Sequence, residues 1–272
     1  MLFPLIQHLR QPCFCGIERT GDRIIGGTVA EQARYPWMTG VVSFDSEGHP
    51  AFCGGSLIND RFVLTAAHCV TDVPLSRLKV VLGAYTLDEV LSLPSNPIIE
   101  VITPEFNMDS GQNDIALLKL ENRMHFRKNG PFSPICLSSH PGPYDNLFLT
   151  GWGKTDASFN NGQFSPVLKE IALNQIDDLT CAIKWREFNP SNEVCAGESG
   201  WSPCQGDSGG PLSSRLNGRV FQVGIVSFGD KYCGLGTDVP TIYTKISYFN
   251  QLIHSTIDFH DVKDGIESKW CH

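Results

Sequence analysis

The stretch Val220-Phe221-Gln222-Val223-Gly224-Ile225-Val226-Ser227-Phe228 decides the fold class. It is apolar, rich in β-branched and aromatic residues, and bounded on both sides by Gly, Asn and Asp. Such a run reads as a strand, because branched side chains pack well on a pleated, buried surface. Working outward, the same pattern recurs at Arg61–Thr65, Leu78–Leu82, Asp114–Leu120, Leu147–Thr150 and Thr241–Ile246. Many short strands separated by turn residues imply an all-β sandwich or barrel. Helix signals are few. Asp177 or Asp178 can cap a short helix through Cys181 to Trp185. A second helix is predicted from Ser247 to about Ile257, where Phe249, Leu252, Ile253 and Ile257 share one face.

The β-rich pattern covers residues 24–254, leaving a short leader (1–23) and a polar C-terminal extension (255–272). A chain of 272 residues, 41% hydrophobic and 18% charged, has the composition of a folded protein with a sizeable core. Its net charge of −8 argues against nucleic acid or an anionic membrane surface as partner. No apolar run reaches the roughly 18 residues that span a bilayer. Ten cysteines, from Cys13 to Cys271, suggest a disulfide framework and hence secretion. They do not suggest zinc: the only close pair of cysteines is Cys13-Phe14-Cys15, and no Cys-x-x-Cys spacing occurs. The opening Met1-Leu2-Phe3-Pro4-Leu5-Ile6 is shorter than the apolar run of about 7–15 residues that marks an export signal.

Three further runs carry chemistry. In chain order they are Thr65-Ala66-Ala67-His68-Cys69, then Asn113-Asp114-Ile115-Ala116-Leu117-Leu118, then Gly206-Asp207-Ser208-Gly209-Gly210-Pro211. A serine hydroxyl is a poor nucleophile until a base within hydrogen-bond reach takes its proton, and the base needs a group to orient it. Singly, each residue has an ordinary structural explanation, such as a histidine beside a cysteine or an aspartate at a strand start. Together and in this order they resemble the chymotrypsin/trypsin family of serine peptidases over residues 24–254. The resemblance implies two six-stranded antiparallel β-barrels with a C-terminal helix. It also implies a triad of Ser208 (nucleophile), His68 (general base) and Asp114, which holds the imidazole in the right tautomer. The amides of Gly206 and Ser208 would form the oxyanion hole, worth on the order of 3–4 kcal/mol per donor.

Asp22-Arg23-Ile24-Ile25-Gly26-Gly27 resembles the family's activation site. Cleavage after Arg23 would free the Ile24 ammonium to pair with Asp207, and an unpaired buried carboxylate is costly enough to drive that rearrangement. The resemblance pairs Cys53 with Cys69, Cys181 with Cys195, Cys204 with Cys233, and Cys15 with Cys136. Cys13 with Cys271 is then left by elimination, and exchange of Cys13 and Cys15 stays open. A further family bridge would join the positions of Leu147 and Ser214, and both halves are absent together.

The resemblance places Ser202 at the base of the specificity pocket, where the trypsin-like branch has aspartate. Ser227, Phe228 and Gly229 match the segment that pairs with the substrate backbone, and Gly229 and Thr241 match the two walls. A neutral floor gives Lys or Arg no charge partner, so small or medium apolar residues are expected. Such a pocket cuts poorly after Arg23, which implies a separate trypsin-like activating protease. The expected partners are protein or peptide substrates, that activator and protein inhibitors, on a monomer. No cofactor or metal is expected. The family's calcium loop would place Ala84, Leu91 and Pro94 at ligand positions, and none suits a hard cation. No Asn-x-Ser/Thr acceptor for glycosylation occurs. Two alternatives stay open: trypsin-like specificity through Asp230 or Glu198, and a non-catalytic binding homologue.

Overall fold

The computed structural model describes residues 14–19, 32–127, 130–155, 162–198, 202–230, 233 and 239–265. Arg23, Ile24, Cys13 and Cys271 lie outside them. The first half of the chain forms β1 (Met38–Phe44), β2 (Pro50–Leu57), β3 (Phe62–Thr65), β4 (Leu78–Leu82), α1 (Leu87–Ser92), β5 (Ile98–Ile102) and β6 (Ala116–Leu120). Its six-stranded antiparallel sheet runs β4-β1-β2-β3-β6-β5, and a bridge between Val80 and Asn96 brings its two ends together. The second half forms β7 (Cys136–Leu137), β8 (Leu147–Gly151), β9 (Lys169–Gln175), α2 (Asp178–Lys184), β10 (Glu193–Gly197), β11 (Pro211–Leu216), β12 (Arg219–Phe228), β13 (Thr241–Lys245) and α3 (Ile246–Lys263). Here β11-β8-β9-β10-β13-β12 closes into a barrel through β11–β12 pairing, and β7 adds a short parallel strand beside β12. The all-β, two-barrel architecture expected from the sequence is the one observed.

Local chemistry accounts for the elements. Every residue of β6 and of β8 is buried, as expected for strands covered on both faces. In β12 the register against β13 shifts between Val226 and Phe228, so Ser227 is an extra, unpaired residue. Such a bulge bends the strand and re-aims one side chain. α2 is capped by Asp177, whose carboxylate accepts from the Thr180 amide at 2.9 Å. α1 was not anticipated, although Thr86 and Glu89 form a capping box that the sequence spells out. Leu147 and Ser214 sit directly opposite one another in the β8–β11 register, and Ser214 Oγ donates to the Asp145 carbonyl.

α3 starts one residue earlier and ends later than its apolar spacing predicts. Ile246, Phe249, Ile253 and Ile257 face inward, whereas Leu252 is partly exposed. The last turns are held by charge. Asp261 pairs with Arg123, which also grips Asp60, and Asp264 pairs with Arg61 and Lys119. Periodicity could not reveal this, because the partners lie on the first barrel. Among the described residues no helix is long and apolar enough to cross a membrane. The helix yields a contrast. Ile257→Ala should lower unfolding free energy by about 2–5 kcal/mol in urea titrations. Val262→Ala, at a position 77% exposed on the same helix, should change it by less than about 0.5 kcal/mol.

Candidate active site

β3 ends at Thr65, and a short 3₁₀ turn, Ala67–Cys69, presents His68. Asp114 enters just before β6, after Asn113, which adopts a left-handed conformation (φ +60°) that Asn tolerates. The two meet twice. The His68 amide donates to Asp114 Oδ1 at 2.9 Å, and His68 Nδ1 lies 2.7 Å from Oδ2. That contact places the proton on Nδ1 and leaves Nε2 free to accept one. The bulge at Ser227 aims its hydroxyl at the same Oδ2, at 2.5 Å, and Thr244 Oγ1 donates to the Asp114 carbonyl at 2.8 Å. A carboxylate only 2% exposed is thereby fully engaged, as burial requires.

Ser208 sits on the loop between β10 and β11. Its carbonyl accepts from the Gly54 amide on β2 at 2.8 Å, while Gly209 and Gly210 donate to Val226 and Asp207. The loop is thus tied to both barrels. Among the described residues no hydrogen bond joins Ser208 Oγ to His68; His68 Nε2 lies 3.6 Å from Cys69 Sγ. Such contacts are commonly long without substrate and tighten in the reacting complex. Gly206 has φ +96°, and a Cβ there would come within 2.9 Å of the Phe52 ring, itself packed on Phe164. Only glycine fits, and the Phe52–Phe164 pair backs the turn that carries the Gly206 amide.

Asp207 points away from Ser208 into a cradle of backbone. Its carboxylate accepts from the amides of Gly153 (2.8 Å) and Cys204 (3.0 Å). A Cβ on Gly153 would approach it to 2.2 Å, so the cradle depends on missing side chains. Burial pushes the Asp207 carboxyl up to about 6 against the pull of those two amides. Among the described residues no cation pairs with it.

Around the expected pocket, Ser202 is half-buried with its hydroxyl turned to the Pro203 carbonyl. Gly229 faces Thr241: a Cβ on Gly229 would lie 3.0 Å from Thr241 Oγ1. Thr241 is buried, and its hydroxyl has no partner among the described residues. The Phe228 ring stands edge-on to Trp185 at 5.3 Å. Disulfides join Cys15–Cys136, Cys53–Cys69, Cys181–Cys195 and Cys204–Cys233. Cys53, His68 and Cys69 cluster closely enough to suggest a metal site, but both sulfurs are spent in their mutual disulfide. Sequence reasoning assigned Ser227 to substrate and missed its bond to Asp114; it also missed Thr244 and the Phe52–Phe164 backing.

A histidine–carboxylate pair beside a glycine-rich serine turn, at the junction of two β-barrels, is the layout of a serine peptidase. The chain belongs to the trypsin family, whose model matches residues 24–253. It is a serine-type endopeptidase. It is 38% identical to the proclotting enzyme of Tachypleus tridentatus, across 88% of this chain and 67% of that protein. It is 33% identical to the serine proteinase stubble of Drosophila melanogaster, of which it spans 32%. It is 31% identical to coagulation factor IX of Cavia porcellus, across 84% of this chain and 79% of that protein.

A pH dependence follows from Asp207. A carboxyl raised from 3.8 to about 6 favours the folded state below pH 4 and loses that advantage as pH rises through 6. The loss is on the order of 3 kcal/mol for the uncleaved chain. Thermal midpoints between pH 4 and 7 should fall in the uncleaved protein and stay flatter in Asp207→Asn.

Proposed function

We propose that the chain is a secreted zymogen, cleaved after Arg23, that hydrolyses peptide bonds through an acyl-enzyme. The observation that carries this reading is the His68–Asp114 pair, locked by Ser227, next to the Ser208 turn. His68 Nε2 takes the Ser208 Oγ proton as the hydroxyl attacks the scissile carbonyl. The oxyanion is held by the amides of Gly206 and Ser208. His68 then protonates the departing amine, and a water, activated by the same imidazole, releases the acyl group. Asp114 stabilises the imidazolium through its bond to Nδ1.

Activation rests on Asp207. Among the described residues its charge has only amide donors, and a new α-ammonium at Ile24 would supply a countercharge. Its pull would order the adjacent Gly206 amide. The Cys15–Cys136 bridge would keep the leader attached after cleavage. The disulfides are consistent with an extracellular setting. Likeness to a proclotting enzyme and a coagulation factor favours a step in a proteolytic cascade, with an upstream trypsin-like activator, protein substrates and protein inhibitors.

For specificity, neutral Ser202 and the Gly229–Thr241 contact favour small or medium apolar residues before the scissile bond. Of the acidic alternatives, Asp230 directly follows Gly229 in the chain, and Glu198 accepts a hydrogen bond from Asn174; either would be the group that selects a basic residue. The test is to cleave after Arg23 with trypsin, remove the trypsin, and assay substrates differing only at that residue. Turnover should favour Ala, Val or Leu and fall by about 10⁶-fold in Ser208→Ala. Preference for Arg would move the assignment to Asp230 or Glu198, and Ser208-independent turnover would remove the triad. The purified precursor, incubated alone, should show no new Ile24 N-terminus.

A further inference from the structure

Glu193, on β10, is one of the few buried carboxylates outside the proposed triad. Both its oxygens are used. Oε1 accepts from Gln112 Nε2 and Oε2 from the Asn189 amide, each at 2.7 Å. Burial pushes its carboxyl up to about 7, while the Asn189 amide, Gln112 and the charge of Lys245 pull it back. A group that costly to bury needs a reason to be there.

The reason lies two residues from Gln112, at Asp114. The segment 107–113 is a compact turn: the Asn107 amide donates to the Gln112 carbonyl, and Asn107 Oδ1 caps Asp109 and Ser110. These bonds fold the turn but do not fix it to the second barrel. The Gln112 side chain does. Its Nε2 reaches Glu193, and its Oε1 accepts from Asn192 Nδ2 at 2.8 Å. The opposite side of Glu193 leads to the same place. In the β10–β13 register Glu193 pairs with Thr244, and Thr244 Oγ1 holds the Asp114 carbonyl. Gly111, next to Gln112, packs on Phe228; a Cβ there would lie 2.7 Å from that ring.

We propose that Glu193 is a positioning residue for hydrolysis, bracing the 107–113 turn through Gln112 so that Asp114 holds His68 in line with Ser208. This rests on the triad reading above. Misplacing a group of the triad by a fraction of an ångström to an ångström lowers turnover by one to two orders of magnitude.

The hydrogen-bond pattern suggests its own test. In the exchange Gln112→Glu with Glu193→Gln, the carboxylate at 112 accepts from Asn192 and from the new amide at 193. The amide oxygen at 193 still accepts from the Asn189 N–H. Activated Glu193→Ala, Gln112→Ala, the exchanged double variant and wild type are assayed with a single-residue amide. Active sites are counted by covalent titration of Ser208, so misfolded molecules do not enter the rate. Each single variant should lose about ten- to a hundred-fold in kcat per titrated site, with KM changed less than about three-fold, and the exchange should recover most of the loss. Single variants within two-fold of wild type, or an exchanged enzyme that titrates fully yet stays slow, would overturn the proposal. If a single variant does not fold, the exchanged enzyme decides alone. Turnover surviving in Ser208→Ala would instead reject the triad, a separate result.

Discussion

A carboxylate sealed from water has to have its charge shared by donors, and Asp114 is where both barrels meet that demand. It leads into a strand of the first barrel and takes two hydrogen bonds from His68 of the same barrel. The second barrel supplies the Ser227 hydroxyl to its side chain and the Thr244 hydroxyl to its carbonyl. Removing a donor to the carboxylate leaves buried charge underserved, which costs more than the bond itself contributes. The packing of the two barrels and the orientation of the proposed base are therefore set by the same few contacts.

Asp207 poses the same problem with a different outcome. Its cradle of backbone amides, kept open by Gly151 and Gly153, is enough to hold the carboxylate but not to offset its burial. In the proposed activation, a carboxylate left in that condition would rearrange when a countercharge arrives. Asp114 is served by His68 and Ser227, whereas among the described residues Asp207 accepts only from backbone amides.

The charged end of α3 shows tertiary structure extending an element beyond its own periodicity. Arg61, Lys119 and Arg123 gather Asp261 and Asp264 onto the first barrel, and Lys119 Nζ also reaches His260 Nδ1 at 3.1 Å. A cation as buried as Lys119 requires such partners. The result straps the first barrel to a helix that grows out of the second.

Much of this was legible in the sequence, and the boundary of legibility has a physical cause. Alternation of branched residues with turn residues gave all-β, because strand formation is read locally. The runs around His68, Asp114 and Ser208 pointed to a serine peptidase through their resemblance to the trypsin family, whose chemistry admits few residue types at those places. The Thr86–Glu89 cap could also have been read and was not. What the chain alone left open depends on partners far away along it: Ser227 meets Asp114 across 113 positions, Thr244 across 130, and Glu193 meets Gln112 across 81. The bulge that aims the Ser227 hydroxyl at Asp114 exists only in the register between β12 and β13. So the sequence determined which groups could do the chemistry. Only the tertiary structure decided which hydroxyls and carboxylates hold them in place, because a hydrogen bond between distant residues is fixed by how the barrels pack.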